Sequence, residues 1–149
     1  MPDRPADPPR DSAPAFLHHD RCAQALGISF AESAPGRATA TMIVRQDMLN
    51  GHGSCHGGII FTLADSVFAV ASNSRGRRAV AQFCSIAYLR PAAMGEELKA
   101  VGLESVLSGQ RGIYDITVCR GDEVIAAFRG HARAVDERID RNDPASAPG

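Results

Sequence analysis

Between Gly57 and about Ser74 the chain is almost wholly apolar: Ile59, Ile60, Phe61, Leu63, Ala64, Val67, Phe68, Val70 and Ala71 leave nearly no polar side. It is the one long apolar run that can be helix, and a helix apolar on every side belongs at the buried centre of a domain. Asn73-Ser-Arg-Gly76 closes it. Ahead of it, Phe16 to Leu26 reads as a short amphipathic helix stopped by Gly27. Ile28 to Ser33 and Arg37 to Val44 read as two strands turned at Pro35-Gly36; in the second, Thr39, Thr41 and Ile43 alternate with Ala38, Ala40 and Met42. Gln46 to Cys55 is a loop.

After the central helix the period changes to two. Strands are expected over 79–89, 97–108, 112–120 and 123–135, with turns at Ser108-Gly109 and Arg120-Gly121-Asp122. Consecutive strands joined by short turns imply an antiparallel meander. One buried helix with five or six such strands makes an α+β domain. Wrapping the sheet around the helix covers one side of it. The other side asks for a second surface, most simply another copy of the chain.

The ends read differently. Residues 1–15 are rich in Pro, Asp and Arg, and 136–149 mix charge with Pro and Ala, so both are expected to be loose tails around one ordered domain over 16–135. At 149 residues the chain holds one domain with a real core. The net charge of -1 argues against a nucleic-acid binder working by phosphate neutralisation. Cys22, Cys55, Cys84 and Cys119 form no CxxC pair and are read as reduced thiols of a cytoplasmic protein. No stretch has the shape of a signal peptide, and the longest apolar run is too short for a membrane span and holds Asp65.

Candidate chemistry concentrates at the start of the central helix. A helix N-terminus presents unpaired N–H groups and partial positive charge, and Gly57-Gly58 lets a ligand come close to the backbone. Such a site binds an anion or polarises a carbonyl and the oxyanion it becomes. No GK[ST] follows the glycines, which lowers the phosphate reading. Asp65 is a lone carboxylate among apolar neighbours, a general base or nucleophile, or else half of a bridge to an arginine such as Arg90. Eight residues of helix span about 12 Å, so Asp65 and the Gly57 amide of one chain do not reach one carbonyl. If both serve one substrate, the Asp comes from a second subunit whose helix runs antiparallel.

The segment Asn50-Gly-His-Gly-x-Cys-His56-Gly57-Gly-x-x-Phe-x-Leu-Ala-Asp65-x-x-Phe-Ala resembles the signature of the PaaI-type hotdog thioesterases of phenylacetate degradation. The likeness continues more loosely through Tyr88-Leu89-Arg90-Pro91 and Gly112-Ile-Tyr114-Asp-Ile. The resemblance implies a hotdog fold, a homodimer or homotetramer, and hydrolysis of aryl- or acyl-CoA thioesters without metal or organic cofactor. It implies that Asp65 activates or attacks, that the Gly57 amide polarises the thioester carbonyl, and that Asn50 and His56 bind or orient the reacting groups. It assigns Arg90 and Arg111 to the CoA phosphates. Where relatives often carry Arg-Thr-Gly, this chain has Gln110-Arg111-Gly112.

Other readings of these residues are blander. His52, Cys55 and His56 lie within five residues and lack the distant ligands of a zinc site. His18, His19 and Cys22 suit an exposed helix start. Ser54 has His52 where a nucleophile elbow needs Gly. Phe61 and Phe68 suit the core, with an aryl pocket as a second use. Arg75, Arg77 and Arg78 suit the end of a helix and also an attraction for CoA. Two rival functions remain: a hotdog enoyl-CoA hydratase or dehydratase pairing Asp65 with His56, and a non-catalytic acyl-CoA-binding module.

Overall fold

The computed structural model describes residues 19–138. Helix α1 (Arg21–Ala25) is capped by Asp20, whose Oδ1 accepts from the Ala23 N–H at 2.9 Å. Strands β1 (Ser29–Ala34) and β2 (Arg37–Ile43) follow, then a single 3-10 turn (Gln46–Met48) and the central helix α2 (Gly57–Ser72). Strands β3 (Arg77–Tyr88), β4 (Glu97–Ser108), β5 (Arg111–Arg120) and β6 (Glu123–Arg138) complete the set. The expected elements are therefore present, most with ends displaced by a residue or two; the first helix begins only at Arg21, not at Phe16. The closing strand runs to Arg138, past the boundary expected at 135. The rest of both expected tails, together with Phe16–His18, lies outside the described residues.

The six strands form one antiparallel sheet in the order β1-β2-β4-β5-β6-β3. This corrects the expected meander. β1 with β2, and β4, β5 and β6 in turn, are sequential neighbours, but β3 pairs with β6 and not with β4, and β4 pairs with β2. The reason lies in the links. Pro35-Gly36, Gly109-Gln110 and Gly121-Asp122 are two-residue turns that force hairpins. The link from Tyr88 to Glu97 is long enough to cross the molecule and leaves the partner of β3 open.

Helix α2 lies across one face of this sheet, against β2, β4 and β5, with β3 and β6 along its other flank. Alternation decides which side chains meet it. Ala38, Ala40 and Met42 of β2 and Tyr114, Ile116 and Val118 of β5 are buried under the helix, with Leu63, Ala64, Val67, Phe68, Val70 and Ala71 facing them. Two strand glycines let the helix settle close. A Cβ on Gly102 would come within 2.7 Å of Val67 Cγ1, and one on Gly130 within 2.6 Å of the Phe68 ring. Buried Asn73 ties the helix end to β3: its Nδ2 donates to the Ala69 and Ala79 carbonyls, and its Oδ1 accepts from the Ala79 N–H at 2.9 Å.

The helix is less covered on one stripe, where Phe61, Thr62, Asp65, Ala69 and Ser72 are half-buried. Strand β3, twelve residues long, is an edge of the sheet.

Candidate active site

The loop before α2 is built around Asn50. Its Oδ1 accepts from the N–H groups of His52 at 2.9 Å and Ser54 at 3.2 Å, and from Ser54 Oγ at 3.4 Å. Its N–H donates to the Ser54 carbonyl, and its own carbonyl accepts from Gly53, whose φ of 81° suits a glycine. The carboxamide oxygen is thus engaged in shaping the loop, while no described residue accepts from Nδ2.

His56 is the N-cap of α2. Its Nδ1 accepts from the Gly58 N–H at 3.1 Å, which places the ring proton of the neutral imidazole on Nε2. The His56 N–H donates to the Met48 carbonyl at 2.7 Å, and the His56 carbonyl accepts from Ile59 and Ile60. Between these engaged groups, the Gly57 N–H has no acceptor among the described residues. It is the orphan donor that a helix start offers to a carbonyl or an anion.

Asp65 stands on the open stripe, about 12 Å further along the axis. Among the described residues it has neither hydrogen bond nor ion pair. Burial pushes its carboxyl above the usual carboxylate range, and the charge of Asp20 adds to the push. The bridge to Arg90 is not formed: Arg90 Nε binds Glu123 Oε1 at 2.6 Å instead. Cys84 lies within the field of Asp65, and its thiol is pushed up first by burial and then by that charge.

Tyr88 had drawn no role from its position in the chain. Its Oη donates to the Gly57 carbonyl at 2.7 Å, and its ring covers the Gly57 Cα. Tyr88 and Gly57 are far apart in sequence, so no local pattern could have paired them.

The arginines separate. Arg90 stays at the loop end of α2, beside Glu123, Arg120 and Glu96. Arg111 sits at the opposite end of the sheet. The register runs from Tyr88 opposite Ala126 to Arg111 opposite Arg133, about 23 Å along β6. Arg111 also belongs to the row of β5 facing away from α2. One chain does not bring Arg111 to Gly57. Arg75 is held by Glu104 through two contacts at 3.1 and 2.9 Å, and Glu104 also accepts from Tyr114 Oη at 3.0 Å. The phenylalanines divide as well: Phe68 is buried against Tyr114 and Phe128, whereas Phe61 lies on the open stripe in a T-shaped contact with Phe128, ring centroids 5.2 Å apart.

His56 and Asp65, the pair a hydratase would need together, are separated within one chain by about 13.5 Å of helix. Among the described residues no three His, Cys, Asp or Glu side chains group as metal ligands, and no helix there is long and apolar enough to cross a membrane.

Residues 52–127 match the thioesterase superfamily. The acyl-coenzyme A thioesterase PaaI of Escherichia coli is 43% identical over 129 residues, covering 86% of this chain and 92% of that protein. The chain belongs to the thioesterase superfamily. It is a hotdog enzyme of the PaaI type. The structure of E. coli PaaI, from a phenylacetic acid degradation operon, superposes with a TM-score of 0.79 over 84% of this chain and 93% of that one, at 41% identity. A Streptococcus mutans protein solved with bound acetyl-CoA superposes with a TM-score of 0.71 at 28% identity, covering 74% of this chain and 90% of its own. The superfamily match takes in the loop from His52 onward, all of α2 and the strands from β3 to the start of β6, and so includes His56, Gly57, Asp65 and Tyr88.

Proposed function

We propose that this thioesterase-superfamily protein hydrolyses aryl- or acyl-CoA thioesters, of the hydroxyphenylacetyl-CoA kind, to free acid and CoA. One observation carries the reading. Along the open flank of a single helix stand an N–H without an acceptor among the described residues and, about 12 Å away, a half-buried carboxylate without a cation among them. Neither has a structural use, and their separation suits two chains with antiparallel helices.

The substrate carbonyl oxygen accepts from the Gly57 N–H of one subunit, which withdraws charge from the acyl carbon and stabilises the oxyanion. Asp65 of the other subunit acts there. As a base it takes a proton from water, whose oxygen bonds to the acyl carbon. As a nucleophile it bonds to that carbon itself, giving a mixed anhydride that water opens. In either route the C–S bond breaks and the CoA thiolate departs with the electron pair, then takes a proton. The raised Asp65 carboxyl suits proton abstraction near neutral pH. His56 Nε2–H and Asn50 Nδ2 are the donors left to orient the reacting groups. Phe61 on the open stripe supplies an apolar wall for an aryl group.

Arg90 meets a CoA phosphate at the loop end; Arg111 contributes only from the neighbouring subunit. The S. mutans relative with acetyl-CoA bound supports CoA as the handle. The working form is a homodimer or a homotetramer of dimers. Its four free cysteines suit the cytoplasm, where we place the enzyme.

Free-thiol release from hydroxyphenylacetyl-CoA and a panel of acyl-CoAs tests this. Wild type is expected to turn over at least one aryl or acyl ester, and Asp65→Asn to lose at least about 100-fold in kcat/KM. An Asp65→Asn protein as active as wild type would remove the mechanism.

A further inference from the structure

We infer that Tyr88 is a positioning residue: from the end of β3 it clamps the Gly57–Gly58 turn so that the Gly57 N–H keeps its aim at the substrate carbonyl. The inference rests on the thioesterase reading of that amide.

The need for a clamp follows from the sequence of the turn. Two successive glycines open α2, and glycine is among the poorest residues at holding helical geometry. Left alone, such a first turn frays, and a frayed turn does not present one N–H in one direction. Three ties oppose this. The His56 imidazole accepts from Gly58, the His56 N–H is anchored on Met48, and the Tyr88 phenol donates to the Gly57 carbonyl at 2.7 Å. The first two hold the helix to its own preceding loop. Tyr88 alone among them comes from the sheet, where it is paired with Ala126 of β6. It therefore ties the turn to the sheet as well as to the loop.

The ring adds a steric element. A Cβ at position 57 would stand 3.0 Å from Tyr88 Cζ, 3.2 Å from Oη and 3.3 Å from Cε1. Glycine at position 57 thus serves twice, leaving its N–H accessible and giving this ring a close seat. The phenol is raised above its usual range by burial, so it remains the hydrogen-bond donor at neutral pH.

Tyr88→Phe tests the clamp because it keeps the ring and removes the donor. With the thioester that wild type hydrolyses best, kcat is expected to fall about tenfold, with KM within about twofold. Amide hydrogen exchange is expected to run about fivefold faster in the peptide covering residues 57–63, with the strands unchanged. Unchanged exchange overturns the clamp, whatever reaction the protein catalyses. Faster exchange with wild-type kcat overturns its role in catalysis, and so does a rise in KM at constant kcat. A wild-type protein silent on every thioester defeats the functional reading, while the exchange measurement still decides the clamp.

Discussion

Asp65 carries a cost that its neighbours do not relieve. Burial raises its carboxyl above the ordinary value of 3.8, so the folded chain binds a proton more tightly than the unfolded chain does. The sign follows by linkage. As pH rises from below 3.8 through the raised folded value, the folded state loses stability relative to a protein without this group. Asp65→Asn removes the loss. Its melting temperature is therefore expected to exceed that of wild type at pH 7, with the gap closing as pH falls towards 4. Thermal scans across that range check it. A variant less stable than wild type at neutral pH would mean that the carboxylate has a cationic partner after all. The Asp65 motif was legible as a lone charge in an apolar helix. Its freedom from Arg90 was not, because the preference of Arg90 for Glu123 is set by where β6 begins.

At the scale of elements, the closeness of α2 to the sheet depends on strand residues that have no side chain. The Gly130 Cα lies beneath the Phe68 ring, and a methyl group there would sit 2.6 Å from ring carbons. Gly130→Ala is expected to cost about 1–3 kcal/mol by overpacking, lowering the melting temperature by several degrees. Phe68→Leu in the same chain should restore part of the loss, because the two changes share one contact. Equal and additive losses in a double-mutant cycle would separate the positions. Alternation on β2 and β5 was readable from period-two patterning, since Ala38, Ala40, Met42, Tyr114, Ile116 and Val118 all face the helix. The place of β3 was not. A pattern of apolar residues identifies a strand and its inner face, yet the long link to β4 leaves the choice of neighbour to global packing.

The whole molecule exposes what one chain leaves unfinished: an edge strand of twelve residues and a helix flank that holds both candidate groups. If the Gly57 N–H and Asp65 act from different subunits, two inactive chains can repair each other. Asp65→Asn supplies an intact amide, and Gly57→Ala, obstructed at Tyr88, supplies an intact carboxylate. Mixing them in equal amounts through unfolding and refolding makes half the dimers mixed, each with one complete site of two. Activity of about a quarter of wild type is expected from that statistics. Recovery no greater than the sum of the separate variants would place both groups in one subunit's site.

The sequence alone determined the element types, the inward row of each strand, and the loop and helix start where the chemistry gathers. Those features obey rules that act over a few residues: side-chain period, two-residue turns and helix capping. Only the tertiary structure decided that β3 joins β6, that Tyr88 reaches Gly57 from across the fold, that Cys84 stands in the field of Asp65, and that Arg111 lies at the far end from Arg90. Each of these joins residues distant in sequence. Their meeting is settled by how one helix and six strands fill a common core, which no local pattern encodes.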